Sequence, residues 1–382
     1  MNKKLPLWNK SIFLKPTLIA LAACPLLLAG SSVKAQDSFK SLANLFTVPY
    51  TYTAPYASAP PKIDGNINDK IWANVPWVKD FTDIEGSLKP EPYYKTRCKM
   101  LWDKDYLYIA AQIEDPQIWA YVKNHDEVVF QDNDFEIFID PNNDTHEYYE
   151  IEVNAINTIW DLFLSKPYRN GPGGGLTDWE AKGLRSAVKV QGTVNNPKDT
   201  DKGWTVEMAI PFDAVSMREK GKSPENGDFW RINFSRVQWR TSVKDGKYVK
   251  DVDSAGKTLP EHNWVWSPQG LIAMHFPERW GYLKFSTAAP GTAEPAFEIP
   301  YAEQQKNYLW LVYYKQKEYF EKNQKYAPSL AALDIPATYT LGSKNNTLNM
   351  ESTQHQFFVS TLDEQQHLIT INQDGLVQTL NK

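Results

Sequence analysis

Cysteine is nearly absent: Cys24 and Cys98 are the only two in 382 residues. There is no Cys-x-x-Cys pair, which leaves thiolate zinc sites and thioredoxin-type redox motifs without a basis. Histidine is sparse too, with six residues (His125, His146, His262, His275, His355 and His367) and no His-Glu-x-x-His run. Metal catalysis by a histidine cluster therefore has little support. Gly-x-Ser-x-Gly is missing, which removes the nucleophile elbow of the α/β-hydrolases. A basic excess is also lacking: 41 Lys and Arg stand against 46 Asp and Glu, for a formal net charge of −5. A nucleic-acid partner needs clustered cations, so that class is set aside. Beyond the N-terminal leader no apolar run is long enough for a transmembrane segment.

What the chain has in abundance is aromatic rings: 14 Trp, 20 Tyr and 17 Phe. So many rings need either a large core or an exposed contact surface. Residues 1–35 read as a secretory signal peptide, with Lys3, Lys4, Lys10 and Lys15 ahead of an apolar stretch and Val33-Lys34-Ala35 as a small-x-small site cleaved after Ala35. The alternative is lipoprotein processing at Leu21-Ala22-Ala23-Cys24, which would leave a lipid anchor at Cys24. Either route exports the chain to the periplasm, the cell surface or the medium. Cys98 is then the only unmodified thiol, so no internal disulfide forms, and it reads as a small buried hydrophobe on a strand.

Residues 36–61 are a proline-containing lead-in. Residues 62–288 read as strand after strand: Tyr94–Trp102, Tyr106–Glu114, Phe135–Ile139, the long stretch Tyr148–Leu164, Ser186–Val194, Trp204–Ile210, Phe229–Trp239 and Gly281–Phe285. The alternation in Trp204–Ile210 is strictly period two, and many short strands at this spacing predict an antiparallel β-sandwich. Pro211–Val215 suggests a single helical turn. The glycine-rich Pro167–Gly175 lacks the Gly-Lys-Ser/Thr ending of a phosphate loop and reads as surface. Residues 289–300 are a linker. In 301–382 a helix over Ala302–Asn323 carries a stripe of Leu309, Val312, Tyr313, Gln316, Tyr319 and Phe320. A short turn at Ser329–Leu333 and strands at Phe357–Leu362 and His367–Asn372 complete a small α+β appendage.

Three clusters are candidates for function. The first surrounds Glu136: Phe135, Ile137 and Ile139 share one strand face, while Glu136, Phe138 and Asp140 share the other. If the first face is core, Glu136 projects outward, where a carboxylate beside exposed rings accepts hydrogen bonds from a ligand's hydroxyls. The second is Asp140, Asn142, Asp144 and Glu147, whose oxygen spacing suggests calcium. Thr145 stands where an EF-hand needs glycine and Ile151 where it needs glutamate, so the alternatives are an irregular structural Ca2+ site and a polar turn. The third is Trp264-Val265-Trp266, where two indoles share a face. They either cap the core or form a binding platform.

In their order along the chain these features resemble carbohydrate-binding module family 9, particularly its stand-alone exported members. The matching residues are Ile63-Asp64-Gly65, Trp72, Pro76-Trp77, Leu101-Trp102-Asp103, Leu107-Tyr108, Asp132, Phe135–Pro141, Tyr149-Glu150, Val153-Asn154, Gly203-Trp204, Glu207, Ile210-Pro211-Phe212, Gly227-Asp228, Arg231–Phe234, Trp264–Ser267 and Trp280–Leu283. The resemblance implies a β-sandwich that binds poly- or oligosaccharide, gripping a glycan end between two tryptophans. The family's site glutamate falls at Glu136, with Asn133 in place of its aspartate. The first tryptophan falls at Phe130, the arginine at about Glu152, and the second tryptophan at Trp264 or Trp266 beside Asn263.

The expectation is an exported sugar-binding protein of carbohydrate catabolism with no cofactor. Phe130 and Trp266 (or Trp264) stack on sugar faces, and Glu136 with Asn263 holds hydroxyls. The alternative is a glycoside hydrolase, or an accessory to one, acting through Glu136 and Asp132, with Asp134, Asp140 and Glu152 as further acids. A third reading, haem held by Met274 and His275, has poor geometry because the two are adjacent.

Overall fold

The computed structural model describes residues 39–171, 174–216 and 222–380. The signal peptide, its cleavage site after Ala35, and Cys24 lie outside the described residues. The predicted sandwich is present as two sheets. The larger has nine strands: Thr51–Ala54 (β1), Thr82–Asp83 (β2), Asp134–Asp140 (β5), Tyr148–Asn154 (β6), Ile159–Leu164 (β7), Gly175–Leu176 (β8), Phe229–Gln238 (β11), His262–Val265 (β14) and Gly281–Phe285 (β15). The smaller stacks Thr96–Trp102 (β3), Tyr106–Ile113 (β4), Gly203–Pro211 (β10) and Arg185–Gln191 (β9) in that order. Pairing is antiparallel except that β1 lies parallel to β15. A hairpin, Thr241–Lys244 (β12) and Lys247–Lys250 (β13), follows β11.

Alternation decides what each face does. Phe135, Ile137 and Ile139 of β5 meet Met100, Ile109 and Val206 of the smaller sheet in a single core, and Cys98 is buried among them as expected. The stretch 148–164 divides into β6 and β7 because Asn154 Oδ1 accepts from the backbone N–H groups of Ile156 (3.1 Å) and Thr158 (2.9 Å), closing a turn. Pro211–Val215 is a turn rather than helix. A third layer covers the smaller sheet. Trp72 Nε1 donates to Glu207 Oε1 at 2.7 Å, and the Asp64 N–H donates to Glu207 Oε2 at 3.0 Å. Gly65 has φ +79°, and a Cβ there would meet the Lys189 backbone nitrogen at 2.8 Å, so only glycine fits.

The appendage contains a helix, Tyr301–Asn323 (α1), with two hairpin-linked groups of strands: Thr338–Leu341 (β16) with Lys344–Thr347 (β17), then Asn349–Ser352 (β18), Phe357–Leu362 (β19), Leu368–Asn372 (β20) and Val377–Leu380 (β21). Leu309, Val312, Tyr313 and Gln316 are the buried part of the expected stripe. The predicted turn near 330 is a 3-10 helix, Leu330–Leu333, capped by the Ser329 side chain.

An ion pair and a hydrogen bond to a buried glutamate join the appendage to the sandwich. Arg169 Nη1 donates to Glu278 Oε1 at 2.6 Å, and Tyr314 OH on α1 donates to the same oxygen at 2.6 Å. Arg231 lies 3.5 Å from Glu303 of α1 and sits 3.7 Å over the Tyr282 ring. Removing one partner of a buried pair leaves the other charge uncompensated. Glu278→Ala is therefore expected to lower unfolding free energy by about 3–5 kcal/mol, read by urea denaturation. A loss under about 0.5 kcal/mol, the scatter of ordinary surface substitutions, would contradict that role.

Candidate functional site

The site is built on the outer face of β5 and its neighbours. Register places Glu136 opposite Glu152 of β6 and Ser235 of β11, while Trp160 of β7 stands opposite Glu152. One residue pair along, Asp134 faces Asn154 and Val237, and Val237 faces Asn263 of β14. In the other direction Glu150 lies between Phe138 and Leu162. Like charges opposite one another are unfavourable, yet Asp134, Glu136 and Glu152 have oxygens within 4.8 Å of each other.

This outer face is not solvated, contrary to the simple expectation for Glu136. Phe138 packs with Tyr148, Trp160, Leu162 and Trp280. His275 crosses Phe138 edge-on at 5.7 Å, and its Nδ1 lies 2.9 Å from Tyr148 OH. Glu136 and Glu150 are each 5% exposed, Glu152 1% and Asp134 0%. The rim is more open: Phe130 is half-buried and Tyr168 is 38% exposed. Phe130 tilts over Trp160 at 6.2 Å, and its backbone N–H donates to Glu152 Oε2 at 2.8 Å. Lys250 lies 3.4 Å above the Trp239 ring.

Burial dominates the electrostatics. It pushes the Glu136 carboxyl up to about 7, and lifts Asp134, Glu150 and Glu152 well above the usual carboxylate range, with the neighbouring acids adding to the effect. Burial also lowers Lys250 to about 8 and His275 to about 3. The strip thus holds carboxyls of raised proton affinity, and a carboxyl that keeps its proton can donate as well as accept.

Trp264 and Trp266 require a correction. They do share a face, but it is the inner one. Trp264 pairs with Arg236, which pairs with Phe135 of the core, and the two indoles are only 2% and 1% exposed. Trp266 packs against Phe234, and the Trp264 ring lies 5.2 Å from the Arg236 guanidinium. They are core plugs and form no platform. Asn263, of opposite parity, stays on the acidic face and is half-buried.

Asp132 Oδ2 accepts from the N–H groups of Tyr121 (2.9 Å) and Val122 (2.8 Å) and from Asn154 Nδ2 (3.0 Å), so it pins a loop. In the 140–147 turn, Asp140 Oδ2 accepts from Thr145 N–H at 2.9 Å and Asp144 Oδ1 from His146 N–H at 2.8 Å. Asn142 Nδ2 donates to Asp144 Oδ2 at 3.0 Å. These side chains are tied to each other and to their own backbone. Met274 Sδ accepts from Gln269 Nε2, and with His275 bonded to Tyr148 the two form no axial pair. Sequence reasoning passed over Trp160, Glu150 and Tyr168. The parity of 148–164 could have revealed the first two. A small cleft of about 50 Å³, lined among others by Asn142, Glu147, Tyr149, Asp228 and Trp230, holds two acids and none of those of the acidic strip.

A profile of the carbohydrate family 9 binding domain-like family matches residues 63–263. The chain belongs to that family. Among relatives, this family 9 chain is 30% identical over 195 residues to endo-1,4-beta-xylanase A of Thermoanaerobacterium saccharolyticum, covering 51% of this chain and 14% of that protein. It is 30% identical over 165 residues to exoglucanase XynX of Acetivibrio thermocellus, covering 43% of this chain and 12% of that one. The chain thus spans only a small part of the relatives it matches. Among solved structures, a family 9 module of Caldicellulosiruptor kristjanssonii in complex with cellotriose aligns at 18% identity and TM-score 0.36, covering 65% of this chain and 100% of that one. A carbohydrate-binding candidate from Bacteroides uniformis aligns at 16% identity and TM-score 0.47, covering 62% and 100%.

Folding raises Glu136 from 4.5 to about 7, so the folded state keeps a proton that the unfolded chain has released. This stabilisation is complete below about pH 4.5 and is lost as pH rises through 7. Glu136→Gln is expected to flatten the pH dependence of the melting temperature across that window and to melt higher than wild type at pH 8. An unchanged slope would contradict this. Trp266→Ala is expected to cost about 3–5 kcal/mol of stability by urea unfolding. A loss below about 1 kcal/mol would mean the indole is not in the core.

Proposed function

We propose that the chain is an exported carbohydrate-binding protein serving carbohydrate catabolism, and that it receives saccharide on the acidic face of the larger sheet. The observation that carries this is the juxtaposition of partly exposed rings, Phe130 and Tyr168, with buried carboxyls of raised proton affinity at Glu136 and Glu150. Rings offer a flat apolar face to the C–H groups of a pyranose, while neighbouring carboxyls satisfy its hydroxyls. Family membership supports the same ligand class. Asn263 adds a polar group at the far edge of the face.

An accessory role beside a glycoside hydrolase is the second reading, favoured by the likeness to segments of xylanases. Hydrolysis by the chain itself is less favoured, because Asp132 is committed to three donors.

Calorimetry against xylo- and cello-oligosaccharides tests the proposal. A small, partly open site is expected to bind with Kd of about 10 μM to 1 mM, and Phe130→Ala and Tyr168→Ala are each expected to weaken binding at least about tenfold. Absence of binding, or wild-type affinity in both variants, would overturn it.

A further inference from the structure

A second group of titratable side chains gathers at Asp161, which pairs with Ile151 and so lies on the sheet face opposite the acidic strip; it plays no part in the proposed sugar site. Three separate segments converge on His125 Nε2. Glu180 Oε1 and Oε2 lie 3.0 and 3.1 Å away, Asp126 Oδ1 3.4 Å and Asp161 Oδ1 3.7 Å. The His125, Asp161 and Glu180 donor atoms are all within 4.8 Å of one another. The three side chains are held by the fold. Asp126 has φ 63° and its N–H donates to Ile159 O at 3.2 Å, tying the loop to β7. Asp161 belongs to β7, and its Oδ2 accepts from Ala181 N–H, which fixes the loop bearing Glu180.

Asp161 is the telling residue. It is 1% exposed, and its Oδ1 is buried and accepts no hydrogen bond. That oxygen faces the single imidazole nitrogen already approached by three other carboxylate oxygens. One N–H cannot serve four acceptors, and one imidazolium cannot balance three carboxylates. Ligands about 2.0–2.1 Å from a tetrahedral ion are roughly 3.3 Å apart, within the span of the four distances from His125 Nε2. His125, Asp126 and Glu180 are exposed, so an ion has access.

We propose that His125, Asp161 and Glu180, assisted by Asp126, form a binding site for a divalent transition ion. One imidazole with carboxylates suits Zn2+ or Mn2+; Ca2+ and Mg2+ prefer all-oxygen sets, and thiolates are lacking. A bound ion would cross-link the loops at 125–126 and 180 to the strand that carries Trp160. The proposal does not rest on sugar binding.

The test is titration calorimetry of the untagged, metal-stripped full chain with ZnCl2 and, separately, with CaCl2. One Zn2+ per chain is expected, with Kd in about the micromolar range, and no comparable Ca2+ binding. His125→Ala and Glu180→Gln alter exposed side chains, and circular dichroism checks that they fold. Each is expected to weaken Zn2+ binding at least about tenfold. No saturable Zn2+ binding, a preference for Ca2+, or wild-type affinity in both folded variants would overturn the proposal.

Discussion

The register of β5 between β6 and β11 is the constraint on which everything else depends. Period-two geometry assigns each side chain of these strands to one of two environments. Phe135, Ile137 and Ile139 seal the sandwich core. The same register then fixes Asp134, Glu136, Glu150 and Glu152 together on the other face. Sliding the strand by one residue would put its acids into the core and move Phe135, Ile137 and Ile139 to the acidic face, so the register is strongly specified. An acidic strip with raised proton affinity is therefore a direct consequence of the packing. Perturbed carboxyls of this kind cluster at functional sites, although structural networks perturb them too.

Much of the sandwich was legible because alternation is a local property. The strands at 96–102, 106–113, 134–140, 203–211 and 229–238 all carry it, and α1 declares itself by its stripe. Thr51–Ala54 was missed because the segment is short and gains its place only by parallel pairing with β15. Trp264 and Trp266 were read correctly as sharing a face. Which face it was depends on pairing with β11, some 30 residues away, and no local pattern contains that. The cover over Phe138 was equally invisible, since it comes from the loop around 275–280. Tyr168 was hidden in a glycine-rich loop whose composition signals only irregular chain.

The features shared with family 9 divide into two kinds. Asp64, Gly65, Trp72 and Glu207 knit the outer layer onto the smaller sheet, so their presence reports fold. Glu136, Phe130 and Glu152 lie instead at the acidic face, where they bear on ligand chemistry. Fold and ligand chemistry are thus separable here, as is general among superfolds. The appendage is fastened to this fold, because Glu303 of α1 pairs with Arg231 and Tyr314 of α1 donates to Glu278 of the sandwich.

The central claim is that saccharide meets the acidic face and not the inner tryptophans. The most direct measurement is the indole N–H spectrum of 15N-labelled protein during titration with a cello- or xylo-oligosaccharide, with each resonance assigned by single substitution. The Trp160 signal is expected to shift with saturation while those of Trp264 and Trp266 stay fixed. Saturable shifts at Trp264 or Trp266 with none at Trp160 would contradict it.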